Sequence, residues 1–501
     1  MAEKNRASSL AIVREVTAGT PVAPTAGTQF IALQEGFSLN PNFQTLENAE
    51  IRSSIGASKS IQGLESPEGS YDHYLRHSGV EGQAPNYGLL LESLLGATSS
   101  NGTERLTAAA STTSLLKLAS GGSDFAKGKA VMVKDGTNSY SIRPVDSVAT
   151  NDLTLGFNLA VAPAAGLGAG KCVNYTPANE GHPTITKWLY RGGGGALEVL
   201  AGTRVSAATV SIAAGELVNS SYSFQGTKYY FDPINILAAD RFLDFTDDDG
   251  TFAASITAQL YRDPHELAQA LQDAMNATAS TETYTVVYLD VSGLFKITST
   301  STLLELLFAT GANTANSIAN RIGFSGDQTG NAGATGYTSG TAQSWAASLT
   351  PAYDAADPQA AKNNEVLIGD ADDTLCFCAS KVDIAVTNEI QDVSCICSES
   401  GVQGKVINKR TVEVKVVGVM ERHDADKFKK FRSNADVKFM YNFGSKSGGN
   451  WVAGTCCSIY IPTAVVSAHE LGDDNGLVTL EITINAYVPA DGSGEFFINF
   501  L

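Results

Sequence analysis

The sequence predicts a mainly β protein: two related β-sandwich or barrel-like modules, each with one short helix, plus a small β insert and an α+β insert. Three observations lead there. Strand alternation is strong near the C-terminal end, where Val412, Val414 and Val416 interleave with Glu413 and Lys415, and Val478, Leu480, Ile482 and Ile484 interleave with Thr479, Glu481 and Thr483. Helical periodicity is confined to a few short segments. The order of parts in the first block also recurs in the last. With 43% hydrophobic residues in 501, the chain has the apolar content to build packed cores.

Residues 1–100 form an N-terminal arm and the first half of module 1. Residues 10–35 are small, polar and punctuated by Thr20, Pro21, Pro24 and Gly27, which suits an extended arm. A β-rich stretch runs from Phe30 to about Leu75. Tyr87, Leu90, Leu91, Leu94 and Leu95 then fall at i, i+3, i+4, i+7 and i+8, predicting a helix over 86–96 that Gly96 stops.

Residues 101–180 form the small β insert: a Ser/Thr/Ala/Gly linker to 123, then short strands at 129–133, 140–145 and 153–155 separated by turn signals. The second half of module 1, 181–231, carries strands at 204–212 and 217–231. The α+β insert, 232–345, has one well-marked helix start. Asp263 caps it, Pro264 occupies the first turn, and Glu266 sits three residues after the cap. Strands at 284–290 and 294–298 predict a hairpin. Module 2 occupies 346–501, and Asp424 predicts the cap of its short helix, bearing Phe428 and Phe431.

The repeat is one of order: strand, polar loop, strand, helix, strand pair. The first copy uses 37–39, 47–62, 70–75 and 86–96; the second uses 381–386, 389–409, 411–420 and 424–435. Each closes with a strand pair, Ala208-Thr209-Val210-Ser211 leading to Gly215-Glu216-Leu217-Val218, and Ala464-Val465-Val466-Ser467 leading to Asn475-Gly476-Leu477-Val478.

Charge narrows the function classes. The formal net charge is −18, which argues against coating a polyanion. Residues 401–446 depart from this, with 11 Lys/Arg against 5 Asp/Glu, leaving −24 on the other 455 residues. No segment approaches the roughly 18 apolar residues of a membrane helix, and the N-terminus does not read as a signal peptide. Seven cysteines are odd in number and sparse, fitting a reducing cytoplasm better than a disulfide framework.

The chemical motifs thin out on inspection. Cys376/Cys378 and Cys395/Cys397 offer four thiolates, but a spacing of two puts each pair on one face of a strand, where Cys packs as a small hydrophobe. Cys456 and Cys457 read as packing residues. His73 and His77 lack a third ligand and read as surface histidines. Asp247-Asp248-Asp249-Gly250 lacks the spaced acids of a calcium loop and reads as a solvated turn. Gly192–Gly195 lacks the Lys-Ser/Thr of a phosphate loop. Phe428, Phe431, Phe439 and Tyr441 among the basic residues 401–446 permit nucleic-acid binding, but a subunit contact through Lys427, Lys429, Lys430 and Arg432 is the preferred reading. No catalytic constellation, metal or cofactor is expected.

The most specific stretch is Thr17 to Gly96. It contains T-A-G-T-P-V-A-P-T, F-S-L-N-P, E-N-A-E-I-R-S-S and N-Y-G-L-L-L-E-S-L-L-G, in that order. This resembles the N-terminal region of major tail tube proteins of long-tailed, non-contractile (siphovirus-type) bacteriophages. Gly202–Gly226 and the ending Phe496-Phe497-Ile498-Asn499-Phe500 are similar to that family too, so the resemblance covers somewhat over half the chain. It implies a structural virion protein of the viral tail, assembled in the host cytoplasm, whose rings stack into the conduit for genome ejection. DNA passes the lumen without specific binding, and tape measure, tail terminator and tail tip proteins are the implied partners. The loops holding Glu47, Glu50, Arg52, Lys59, Asp392, Glu399, Lys405 and Lys409 occupy the position of the family's inter-ring loop. With two modules per chain, the expected ring is a pseudo-sixfold trimer, a hexamer being the other arrangement. A β-modular surface-binding or adhesin-type protein is the alternative from another class.

Overall fold

A computed structural model describes residues 5–50, 56, 58–134, 140–192, 196–330, 336–341, 349–370, 374–376, 378–398, 400–420, 429 and 432–501. The chain divides into two compact units. One holds residues 1–10, 187–200 and 229–350; the other holds 11–186, 201–228 and 351–501.

The larger unit is organised by one long antiparallel sheet. Its labelled strands are β1 (Ser38–Asn40), β2 (Glu68–Tyr74), β3 (Ala196–Ala213, of which 201–213 lie in this unit), β4 (Asn219–Gln225), β5 (Ala379–Ser394), β6 (Val402–Val419), β7 (Asp436–Phe443), β8 (Cys457–Asp474), β9 (Leu477–Ala486) and β10 (Phe497–Phe500). The ladder pairs β1 with β2, β2 with β4, β4 with β3, β3 with β5, β5 with β6, β6 with β9, and β9 with β8. The first four strands therefore lie in the order first, second, fourth, third, and so do β5, β6, β9 and β8. β3 and β5 join the two sets through seven residue pairs, from Ala207↔Thr387 to Ala213↔Lys381.

The two sets match in detail. Ser38 opposes Ser70 as Asp383 opposes Lys415, and Tyr71 opposes Tyr222 as Val416 opposes Ile482. Both long strands bulge at a serine: Ser206 is skipped between Val205 and Ala207, and Ser467 between Val466 and Ala468. A bulge adds one residue and bends the strand, so this shared Val-Ser-Ala fixes the correspondence. It aligns 205–207 with 466–468, in place of the expected match of 208–211 to 464–467. The match of Leu217-Val218 to Leu477-Val478 agrees with the β4–β9 register.

Alternation builds the core. Val382, Ile384, Val386, Val412, Val414, Val416, Leu480, Ile482 and Ile484 all point to one buried face, as do Tyr71, Val210, Tyr222 and Phe224. Burying such side chains contributes roughly 1.5–3 kcal/mol each. The predicted helix is α1 (Gly88–Leu95), burying Leu90, Leu91, Leu94 and Leu95 and ending at Gly96, whose φ of 106° no β-carbon tolerates well. Asn475 and Gly476, at φ 54° and 85°, form the tight turn between β8 and β9.

The small insert is a six-stranded sheet, ordered 105–106, 168–169, 130–134, 140–149, 152–155, 115–117. Two of its strands come from 101–123, so that stretch is more than the linker expected. One face buries Val131, Val133, Val145, Leu153 and Leu155 as its own core. The other places Ala130, Met132, Ile142 and Phe157 against Tyr460, Phe497 and Leu501. Asn499 ties the layers: its Oδ1 accepts from the Ala130 amide (2.9 Å) and from Asn174 Nδ2 (2.8 Å).

The smaller unit is α+β. Helix α2 (Pro264–Asn276) starts where predicted, with Asp263 Oδ1 accepting from the Glu266 amide at 2.9 Å. Leu267, Leu271 and Met275 pack into a core with Phe245, Phe295 and Ile297. The hairpin Tyr284–Leu289 with Leu294–Ser299 is formed as expected. A one-turn helix, α3 (Ala319–Ile322), completes the helices of the described elements.

Candidate functional site

The long sheet presents an outer face, two ends and two edges as surfaces. The outer face carries the residues that alternate with the core. Ser221, Ser223, Thr209, Ser211, Thr387, Thr411 and Thr483 supply small hydroxyls. Glu68, Asp72, Asp383, Glu389, Glu413 and Glu481 outnumber Lys381, Lys409 and Lys415 there. Lys381 pairs with Asp383 at 2.6 Å, and that hydrogen bond, with the carboxylate charge, raises the ammonium pKa. The face is thus polar and mildly acidic.

The ends differ. One carries two hairpins side by side: Phe43–Leu46 with Ile61–Glu65, and the β5–β6 tip. The Glu65 amide donates to Ser400 O at 3.0 Å, and Lys405 Nζ donates to Ser66 Oγ at 2.9 Å while pairing with Asp392. The Lys405 side chain is fully buried by this. Phe43, Ile61, Val393 and Ile396 are nevertheless exposed. At about 3.3 Å per residue, the 18 residues of β6 separate this end from the other by some 55–60 Å. The far end carries Leu217 and the β8–β9 turn, with Met420, Leu477 and Val478 exposed.

Of the predicted inter-ring residues, Glu47, Glu50 and Lys59 lie on the first hairpin's loop and are exposed. Asp392 and Lys405 meet each other within the chain. Lys409 is exposed on β6 opposite Glu389. Arg52 and Glu399 lie outside the described residues. In the basic patch Lys429 and Arg432 are exposed, and Lys427 and Lys430 lie outside the described residues, as do Asp424, Phe428 and Phe431.

Three motif readings change. His73 and His77, expected on the surface, are buried. His73 stacks on Tyr222 (5.2 Å, 6° between planes), and its Nδ1–H donates to Tyr74 O, 3.0 Å away. Burial lowers both imidazole pKa values to about 4, so both rings are neutral at pH 7. Cys395 and Cys397, expected on a strand face, sit in the β5–β6 turn, where Cys397 is exposed. Asp247, expected in a solvated turn, is buried and accepts from Tyr284 and from Ser280 Oγ (2.5 Å). Cys456 and Cys457 are buried, as packing residues should be. Among the described residues, no three His, Cys, Asp or Glu side chains gather as a metal set.

Comparison with known proteins adds a family. Residues 5–235 match the sequence profile described as phage tail tube protein. No curated protein matches the chain. Among solved structures, the SPP1 tail tube is 13% identical, covering 26% of this chain and 75% of that one at a TM-score of 0.21. A chain from the virion of a native gene transfer agent particle is 17% identical, covering 25% and 91% at a TM-score of 0.19. Likenesses this faint carry no argument about assembly. The profile match spans β1 to β4 and the small insert. Over residues 5–235, a little under half its length, the chain is therefore similar to phage tail tube proteins.

Proposed function

We propose that this protein self-assembles into stacked rings that form the tube of a phage tail, the conduit for genome ejection, and that each chain supplies two tube modules. The observation that carries the reading is the sheet itself: the strand order of the family-matched part recurs in β5, β6, β9 and β8, and the two sets are joined in one ladder. Three such chains then supply six modules, a pseudo-sixfold trimeric ring. The ends suit head-to-tail stacking, because exposed apolar residues occupy both and such a contact does not close on itself. The outer face suits a lumen: its carboxylates and hydroxyls repel or ignore a duplex that carries about one negative charge per 1.7 Å. The tail's terminal and tape measure components are the expected partners, and assembly takes place in the host cytoplasm.

Negative-stain microscopy of the purified protein tests this. Hollow filaments whose rings hold three chains support the reading. Isolated globules at high concentration favour a β-modular binding protein instead, and rings of six chains refute the tandem arrangement.

A further inference from the structure

We infer that the β8–β9 turn carries a self-modification site: Asn475 loses its side-chain amide by ring closure onto the Gly476 nitrogen, and the converted chain no longer extends a tube. The chemistry stands on the turn alone, and its consequence for assembly rests on the ring-stacking reading above.

Asn-Gly occurs twice in the chain, at 101–102 and 475–476. The first is shut away. Asn101 is 3% exposed, its Oδ1 accepts from the Cys172 amide, and its Nδ2 donates to Gly170 O. A side chain held at both ends does not turn onto its own backbone. Asn475 instead stands exposed in a two-residue turn at φ 54°. Its Nδ2 donates to the adjacent Asp474 Oδ1 at 2.8 Å, a bond between exposed groups that water replaces readily. Gly476 follows at φ 85°, and no atom beyond its chain neighbours lies within 4 Å of the place a β-carbon would take. Its N–H donates to Asp473 Oδ1 over a long 3.3 Å, so the nitrogen is open to approach.

The step balances with water as the one co-reactant. A solvent base takes the Gly476 amide proton as that nitrogen bonds to Asn475 Cγ, and the Cγ–Nδ2 bond breaks to release ammonia. Water then opens the cyclic imide at either carbonyl, leaving aspartate or isoaspartate. Either product adds a negative charge beside Asp473 and Asp474, next to the exposed Leu477 and Val478 of the far end. Isoaspartate also lengthens the turn by one backbone atom, which the closing Asp474–Leu477 pair does not accommodate. The corresponding turn of the first set, Ala214-Gly215, has no amide to lose. Stacking covers the far end, so the unassembled chain is the one that ages.

The test holds dilute, unassembled protein at pH 8 and 37 °C and follows its peptides by mass spectrometry with enzymatic detection of isoaspartate. Conversion at Asn475 is expected to outrun that at Asn101 at least tenfold, and to slow several-fold at pH 6, where hydroxide is scarcer. Converted chains are expected to join filaments at most one-fifth as fast as fresh ones in light scattering. Asn475→Gly keeps the turn and lacks the amide, and should hold its rate through the same incubation. Equal conversion at the two sites, or none at Asn475, overturns the site; converted chains that assemble like fresh ones overturn its effect. Fresh wild-type chains that never form filaments refute the tube reading, and the mass measurement still decides the chemistry.

Discussion

Val210 and Leu471 occupy the same place in two successive four-strand sets, yet one is buried and the other open to solvent. Their strands share a bulge, a core-facing alternation and a following Leu-Val pair. What separates them is the second neighbour: β3 has β5 on the side away from β4, and the end of β8 has no strand on the side away from β9 among the described strands. Exposure along this sheet is therefore set by position in the repeat and not by residue type.

The sharpest way to break the comparison is to place the same charge on both sides of it. Val210→Asp puts a carboxylate into a covered junction and is expected to cost at least about 3 kcal/mol of folding stability, measured by urea denaturation. Leu471→Asp is expected to change monomer stability by less than about 0.5 kcal/mol while abolishing filaments in the microscope. Equal losses of stability would remove the distinction.

Acid should loosen the first set before the second. His73 and His77 are held neutral, with folded pKa values near 4 against 6.5 unfolded, so their stabilisation is full above pH 6.5 and drains away as pH falls towards 4. Each is worth up to about 3 kcal/mol at the limit. Gly418 stands where His73 does in the second set, by the β2–β6 correspondence. Hydrogen exchange at pH 4.5 is expected to rise in 68–77 and 219–225 ahead of 412–418, and His73→Phe should narrow that gap.

Lys405→Met unpairs Asp392, which is partly exposed, and is expected to cost about 2 kcal/mol. Protease cleavage confined to the paired hairpin tips would report it. At the turns, Gly476→Ala and Gly215→Ala, at φ 85° and 84°, should each cost about 1 kcal/mol. Only the first, beside the open edge, should also slow filament growth in light scattering.

Much of this was legible in the residues. The leucine spacing of α1, the Asp263 cap and the valine alternation of β6 are local signals, and each produced its element. What escaped depends on distant partners. Arg105–Leu106 and Leu115–Lys117 are too short to alternate, and become strands only because neighbouring ladders hold them. The burial of His73 comes from Tyr222 and Tyr87, neither adjacent in sequence. Lys405 looked like a loop cation, and nothing nearby announces that Asp392 and Ser66 enclose it. The register of the repeat slipped by five residues because the Ala-x-Val-Ser match outweighed the bulge, which shows only in the ladder. The β3–β5 joint has no local signature whatever.

The small insert's link to β10 has a temporal consequence. Val173 pairs with Phe500, and the Ala130 amide waits for Asn499. At 5–20 residues per second, a ribosome takes roughly 15–65 s to deliver that strand after residue 173 has been made. Pairings so remote in sequence make for slow, late closure. Throughout that interval the first strand set lacks the layer that β10 completes, and for its first part also the β5 edge it joins. On the tube reading proposed above, a nascent chain is thereby kept from joining a ring before β10 exists, and delivery of that strand becomes the clock that starts assembly.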